Sequence, residues 1–275
     1  ASLAPSEMCI RDRVETLRKN KLLTMIATVV FLFLFLPLVI IVITSFGTEA
    51  IITFPIKGFT IDWYIMALTS KALMSSLQLS LLVGVVATLL ALIIGVPAAY
   101  VLSRDQFKGK KLMKDFFLSP TMIPGIVVGY SLYQMIVVSF KFPILPGLLI
   151  GHFLISIPYV IRVVGSSMEQ VDVSMEEAAW TLGCTKKRAF ATVLLPNITS
   201  GIFAAFMLSF VNSFNNVPVS MFLSGPGVTM LPTTLLSYME FNYDPSVSAL
   251  SVILMFVTMG IMIAIEKTLG LASIS

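Results

Sequence analysis

One imidazole, His152, stands in 275 residues. No catalytic pair can be assembled around it, and no cluster of ligating residues has metal-site spacing. It reads as a polar residue at a membrane interface or packed inside a bundle. No Gly-x-x-x-x-Gly-Lys-Ser/Thr occurs, so the chain has no P-loop and no nucleotide chemistry by that route. The remaining polar side chains form two patterns. The first is a stripe in "AAFMLSFVNSFNNVPVSMFLSGPG", where Ser209, Asn212, Ser213, Asn216 and Ser220 recur at helical spacing with Asn215 beside them. A carboxamide facing lipid leaves donors unpaired, at about 1–3 kcal/mol each. The stripe therefore faces protein or a water-filled path. Two readings stand: serine and asparagine as glue between helices, or Asn212, Asn215 and Asn216 lining a path for a polar solute. Tyr130 and Gln134 are further candidates for the path. They follow Pro120 and Pro124-Gly125, and broken helices at membrane depth line cavities or are buried in protein.

The second pattern is "MEEAAWTLGCTKKRAFATVLLP", Met175 to Pro196. Glu169, Asp172, Glu176, Glu177, Lys186, Lys187 and Arg188 lie in or just before it. Inserting Asp, Lys or Arg at the centre of a membrane helix costs roughly 2.5–3.5 kcal/mol each, so this stretch stays outside the hydrocarbon. Ser174 with Glu177 spells a capping box and predicts a helix from about Met175. Met175, Ala178, Ala179 and Leu182 would share its apolar face. Gly183 stands where a left-handed residue ends a helix. Thr185 can cap a second helix whose apolar face is Ala189, Phe190, Val193 and Leu194, and Pro196 marks the turn that follows. A face edged with alanine suits a protein socket or a bed of lipid headgroups.

The elements that position these residues follow from composition. Hydrophobic residues make up 57% and charged residues 12%, with a mean hydropathy of +0.97. The fold class is an all-α membrane protein with six transmembrane helices, and no segment alternates as a membrane barrel would. The expected spans are Leu22–Thr44, Ser76–Leu102, Phe116–Val138 (broken by Pro120 and Pro124-Gly125), Gly147–Val164, Ile198–Phe222 and Val247–Ile265. The first is too long for a signal-peptide core and reads as a retained anchor. With the N-terminus in the cytoplasm, the inner segments hold fifteen of the eighteen Lys and Arg residues, and the outer ones only Lys57, Lys71 and Lys141. The net charge of +4 is accounted for by this bias and points to no nucleic acid. Cys9 and Cys184 both fall on the reducing side, where no disulfide is expected. The expected organisation is a cytoplasmic tail over 1–21, a membrane domain over 22–267 with the charged loop at about 165–196, and a short cytoplasmic tail over 268–275. The opening "ASLAPSEMCIRDR" matches nothing else in the design and is set apart as a non-native extension. Gly84, Gly95 and Pro97 suit close packing and a kink. Ser224 to Gly227 reads as a turn, and Pro232 to Asn242 as a short external helix.

Glu177-Ala178-Ala179, three residues, Gly183, nine residues, Val193, one residue, Leu195-Pro196 resembles the EAA loop of permease subunits in binding-protein-dependent ABC importers. Val193 stands where that pattern has Ile. The wider resemblance runs from about Ser70 to Glu266. It implies the type I importer permease fold, with the loop as a coupling helix docked in a groove of a separate ATPase subunit. Ala178 and Ala179 would let it sink close, Glu177 would anchor at the rim, and Gly183 would set the angle between the two pieces. The chain would then be a non-catalytic subunit, forming half of a translocation pathway in the bacterial inner membrane. Its implied partners are two ATPase subunits holding ATP and Mg, a second permease that is a non-identical homologue, an external substrate-binding protein and membrane lipid. No cofactor is implied in the chain itself. "SFNNVPVSMFLSGPG…LPTTLLSYM" is similar to the polyamine, opine, iron and thiamine branch of these permeases. That branch often has Asp or Glu where Asn215 and Asn216 stand. The implied solute is small and polar, polyamine-like first, with opine, thiamine, iron or phosphonate as alternatives. A stand-alone secondary transporter and a membrane scaffold for a cytoplasmic partner are the competing functions.

Overall fold

The computed structural model describes residues 21–242 and 244–268. The expectations for the first twenty residues, Cys9 and four basic residues included, and for the last seven lie outside the described residues. So do the side chains of Lys21 and Lys267. Every regular element among the described residues is helical. Four helices are long and apolar enough to cross a membrane, and two bent pairs bring the number to six if each pair counts as one span.

Each straight span follows from an uninterrupted apolar run with polar residues at its ends. Helix α1, Lys21–Thr44, is apolar all round. None of its most hydropathic stretch is buried, and Phe33 is 75% exposed, as a lipid-facing helix requires. After the short α2, Asp62–Thr69, helix α3 runs 34 residues from Lys71 to Arg104, capped by Ser70. It is longer at both ends than Ser76–Leu102, because a polar cap and a terminal arginine extend a helix past the hydrocarbon. The fourth span likewise grows from Gly147–Val164 to α6, Ile144–Glu169.

The third expected span holds with its break, and the fifth is corrected. The third divides into α4, Lys110–Thr121, and α5, Gly125–Ser139, which meet at 97°. Pro124 provides the break, since a residue before proline leaves the helical region and proline lacks a donor. The fifth was expected as one helix over Ile198–Phe222. At the turn expected from Pro196, α8, Lys186–Asn197, bends through 72° into α9, Thr199–Phe214, but α9 stops at Asn215. Helix α10 restarts over Val217–Phe222. Asn216 has extended backbone, its side chain accepts from the Val219 N–H at 3.0 Å, and Pro218 in the first turn needs no donor.

The chain forms two compact units. Among the described residues, one comprises 21–67 with 244–255. Within it Thr44 donates to Ser248 at 3.2 Å, Ser45 bonds the Tyr64 hydroxyl at 2.6 Å, and the Trp63 indole donates to the Gly47 carbonyl at 2.7 Å. The other comprises 68–242 with 256–268 and holds the two polar patterns. Its core is α3 against α6, with α9 packed on both. Ala91, Val96 and Ala99 meet Val160, Val164 and Met168. The approach is close: a Cβ added to Gly95 would stand 2.6 Å from Val160 Cγ1. Small residues at helix crossings serve this purpose in membranes. The turn at Ser224 to Gly227 is present, with Gly227 at φ 72° and Gly225 and Val228 exchanging backbone bonds. Helix α11, Leu231–Phe241, is held at its start by the Ser80 hydroxyl, which accepts from the Leu231 N–H at 2.7 Å. Helix α12, Pro245–Thr268, closes the described chain.

Candidate functional site

The charged stretch folds as helix, hinge and helix. Helix α7 spans Val173–Thr181. Its cap is Asp172, whose carboxylate accepts from the Ser174 N–H at 2.9 Å. The expected Ser174 capping box is therefore corrected: the charged acceptor two residues earlier takes the position, and Ser174 lies inside the first turn. The Ser174 N–H holds the Asp172 carboxyl below its ordinary 3.8. Gly183 adopts φ 88° and donates to the Trp180 carbonyl at 2.9 Å, ending α7 as a left-handed glycine should. Thr185 caps α8 through the Arg188 N–H at 3.3 Å. Ala189 and Leu194 are buried in the core, and Phe190 and Val193 are half-buried, so the apolar face of the second helix is the expected one. A π-helical stretch, Phe190–Leu194, interrupts α8. At the bend beyond Pro196 the Thr199 hydroxyl covers a freed carbonyl, that of Pro196, at 2.9 Å.

The face of α7 differs from expectation. Ala179 is buried, yet Met175 and Leu182 are 43% and 86% exposed, and Glu177 and Ala178 are exposed as well. The inward residue beside Ala179 is Glu176, at 1% exposure. Its Oε1 accepts from Arg104 Nε at 2.8 Å and its Oε2 from the Tyr100 hydroxyl at 3.1 Å. Arg104 also donates through Nη2 to the Val171 carbonyl at 2.8 Å. Such a buried pair holds its charges only because both sides are paired and bonded. The rotation it fixes turns Met175, Ala178 and Leu182 outward as one stripe. Sequence reasoning passed over Glu176, Arg104 and Tyr100. The acid and the arginine stand 72 residues apart, and no spacing rule joins them.

The polar stripe separates by residue type. Ser209, Ser213 and Ser220 are fully buried and bond α6. Ser213 Oγ lies 2.9 Å from His152 Nδ1, Ser220 Oγ lies 3.4 Å from His152 Nε2, and Ser209 donates to the Ser156 carbonyl at 3.4 Å. Asn212 and Asn216 instead border a cavity of about 240 Å³ with Thr121, Pro158 and Tyr159. Asn216 is also the cap of α10. Asn215 is exposed at the end of α9. Tyr130 is 53% exposed, its ring edge-on to Phe222 at 5.7 Å. Gln134 is exposed at the start of the π-helical stretch Gln134–Ser139. Neither Tyr130 nor Gln134 borders that cavity. Among the described residues no group of His, Cys, Asp and Glu could hold a metal ion.

A multi-span helical unit with a polar cleft between broken helices, and an exposed helical elbow outside it, has the makings of a transporter's membrane component. Residues 91–268 match the model of the "binding-protein-dependent transport system inner membrane component" family. The chain is 32% identical over 232 residues to the putrescine transport system permease protein PotI of Escherichia coli K12, covering 82% of each. It is 30% identical over 242 residues to the spermidine/putrescine transport system permease protein PotC of the same strain, covering 86% of this chain and 89% of PotC. In fold it matches a chain of a bacterial alginate ABC transporter, solved in complex with an alginate pentasaccharide-bound periplasmic protein, with a TM-score of 0.70 at 14% identity over 92% of this chain and 95% of that one. The chain belongs to the family of binding-protein-dependent transport system inner membrane components: it is the permease component of an ABC importer, built on the type I fold. Permeases of this family are not themselves catalytic.

Proposed function

We propose that the chain forms half of a pathway for a small polar solute, polyamine-like first, and couples it to a separate ATPase through the elbow of α7 and α8. The observation that carries the coupling is the exposed stripe of Met175, Ala178 and Leu182 beside Glu177, on a helix whose back is tied to α3. A groove in a partner protein would cover that apolar stripe, and the ATPase is the partner an importer requires. Glu177 serves as the rim anchor and Gly183 sets the elbow angle. Leu195 and Pro196 lead the motion into the bend before α9. The elbow and both termini lie in the cytoplasm, where the excess of Lys and Arg belongs. The working complex adds two ATPases holding ATP and Mg, a second, non-identical permease and an external binding protein, all within the bacterial inner membrane.

Asn212 and Asn216, with Tyr159 and Thr121, present neutral hydrogen-bonding groups to the cavity. The polyamine assignment rests on the likeness to PotI and PotC. Amides and a tyrosine ring can pass an ammonium group along without the deep well that a carboxylate would create. Reconstitution with ATPase and binding protein tests the whole reading. Uptake of labelled putrescine into vesicles should require ATP and all components. Uptake by the chain alone, driven by an ion gradient, would overturn it. Asn212→Leu should lower uptake severalfold without loss of the ATPase from the complex. Asn212 is the cleaner test than Asn216, whose removal also costs a helix cap of about 1 kcal/mol.

A further inference from the structure

We propose that Arg104, Glu176 and Tyr100 are positioning residues that clamp the elbow to the end of α3, so that a push on the elbow moves α3 together with the two helices to which the elbow is covalently joined. The proposal rests on the coupling role of the elbow.

Both oxygens of Glu176 are taken by residues four apart on α3: Oε1 by Arg104 at 2.8 Å and Oε2 by Tyr100 at 3.1 Å. Positions four apart lie on one face, one turn above the other. Arg104 is the last residue of α3, and its guanidinium also holds the Val171 carbonyl, just ahead of α7, at 2.8 Å. One side chain therefore grips both the entry to α7 and its first turn. The second arm reaches the same place, since the Phe190 ring of α8 meets Tyr100 edge-on at 4.9 Å. The backbone of the elbow joins only α6 and α9. Without the clamp, α3 would feel its motion only through side-chain packing. With it, the hydrogen-bonded fork fixes the rotation of α7 and makes the end of α3 part of the lever. The side-chain surroundings separate this pair from an ordinary surface bridge. Glu176 is 1% and Arg104 10% exposed, whereas the nearby Lys114–Glu169 pair is about half exposed on both sides and carries no such constraint.

The assembled complex, with ATPase, second permease and binding protein in vesicles, reads the effect as solute transported per ATP hydrolysed. Glu176→Gln and Arg104→Lys should keep the ATPase bound and hydrolysing. Each should lower that ratio at least about fivefold, the lower end of usual coupling between sites. The double variant should be no worse than either single one, because both break the same clamp. Tyr100→Phe, which leaves the ion pair in place, should lower the ratio by a smaller factor. Should Glu176→Gln shed the ATPase, Tyr100→Phe decides: a reduced ratio upholds the clamp and an unchanged one overturns it. Ala178→Glu on the outer stripe separates the two levels. If Ala178→Glu leaves the ATPase bound, the elbow is not the docking element and the coupling reading fails. If Ala178→Glu releases the ATPase while Glu176→Gln transports with the unaltered ratio, the clamp alone is wrong.

Discussion

Glu176 and Glu177 are adjacent carboxylates with opposite surroundings. One is sealed against an arginine and a tyrosine, and the other is free to meet a partner. Truncating one member of a buried pair leaves the other charge unpaired, at about 3–5 kcal/mol. Glu176→Ala should therefore lower the stability of the detergent-solubilised chain by about that much in a denaturation experiment, and Glu177→Ala should leave stability near its starting value. Asp172 adds a pH dependence. Its carboxyl is held below 3.8 in the folded chain by the Ser174 N–H, so the cap contributes fully above that ordinary value. Its contribution is lost as pH falls through the lower, folded value. The Asp172→Ala variant should be less stable than the parent at neutral pH, and the difference should shrink on acidification below about 4. An unchanged difference down to strongly acid pH would show that the carboxylate charge is not what caps the helix.

At the scale of elements, breaks matter as much as spans. The prolines at 120 and 124 announce the 97° corner between α4 and α5, because proline cannot donate to a helix and restricts the residue before it. The stop at Asn215 was less visible. Asparagine is tolerated within helices, and only the extended backbone of Asn216 shows that its side chain serves as a cap. The elbow itself was legible, for Gly183 and Thr185 are local signals and both occupy the predicted positions. Gly183 sits at φ 88°, which costs an ordinary residue roughly 1–2 kcal/mol. Gly183→Val should destabilise the elbow by about that amount, seen as faster proteolysis near Cys184 in the isolated permease. Gly95→Val tests the core crossing. Its side chain would enter space already held by Val160, so a loss of about 1–3 kcal/mol is expected from overpacking, measured by thermal unfolding in detergent.

At the scale of the molecule, a permease moves a solute by rocking helices around a cleft, and the cleft must be polar enough to admit the solute yet hold it weakly. The division of the stripe meets this need. Buried serines fasten α9 and α10 to α6 through His152, while Asn212 and Asn216 turn to the cavity beside the corner of α4 and α5. The serines thus make the helix-to-helix bonds read from the sequence, and the pathway role proposed above falls to the two amides at the cavity. Exposed apolar surface along α1 suits lipid and the second permease that the proposed assembly requires.

The membrane class, the positions of the apolar runs, the elbow with its glycine and the absence of a P-loop are all readable in the order of residues. Each of these rests on local chemistry: hydropathy over some twenty residues, a cap, a residue free to adopt positive φ. The tertiary structure alone decided which carboxylate faces inward, which amides meet the cavity and where α9 stops. Those outcomes depend on partners far along the chain, as Arg104 is from Glu176. A helix's rotation about its axis is set by what it packs against, not by its own periodicity.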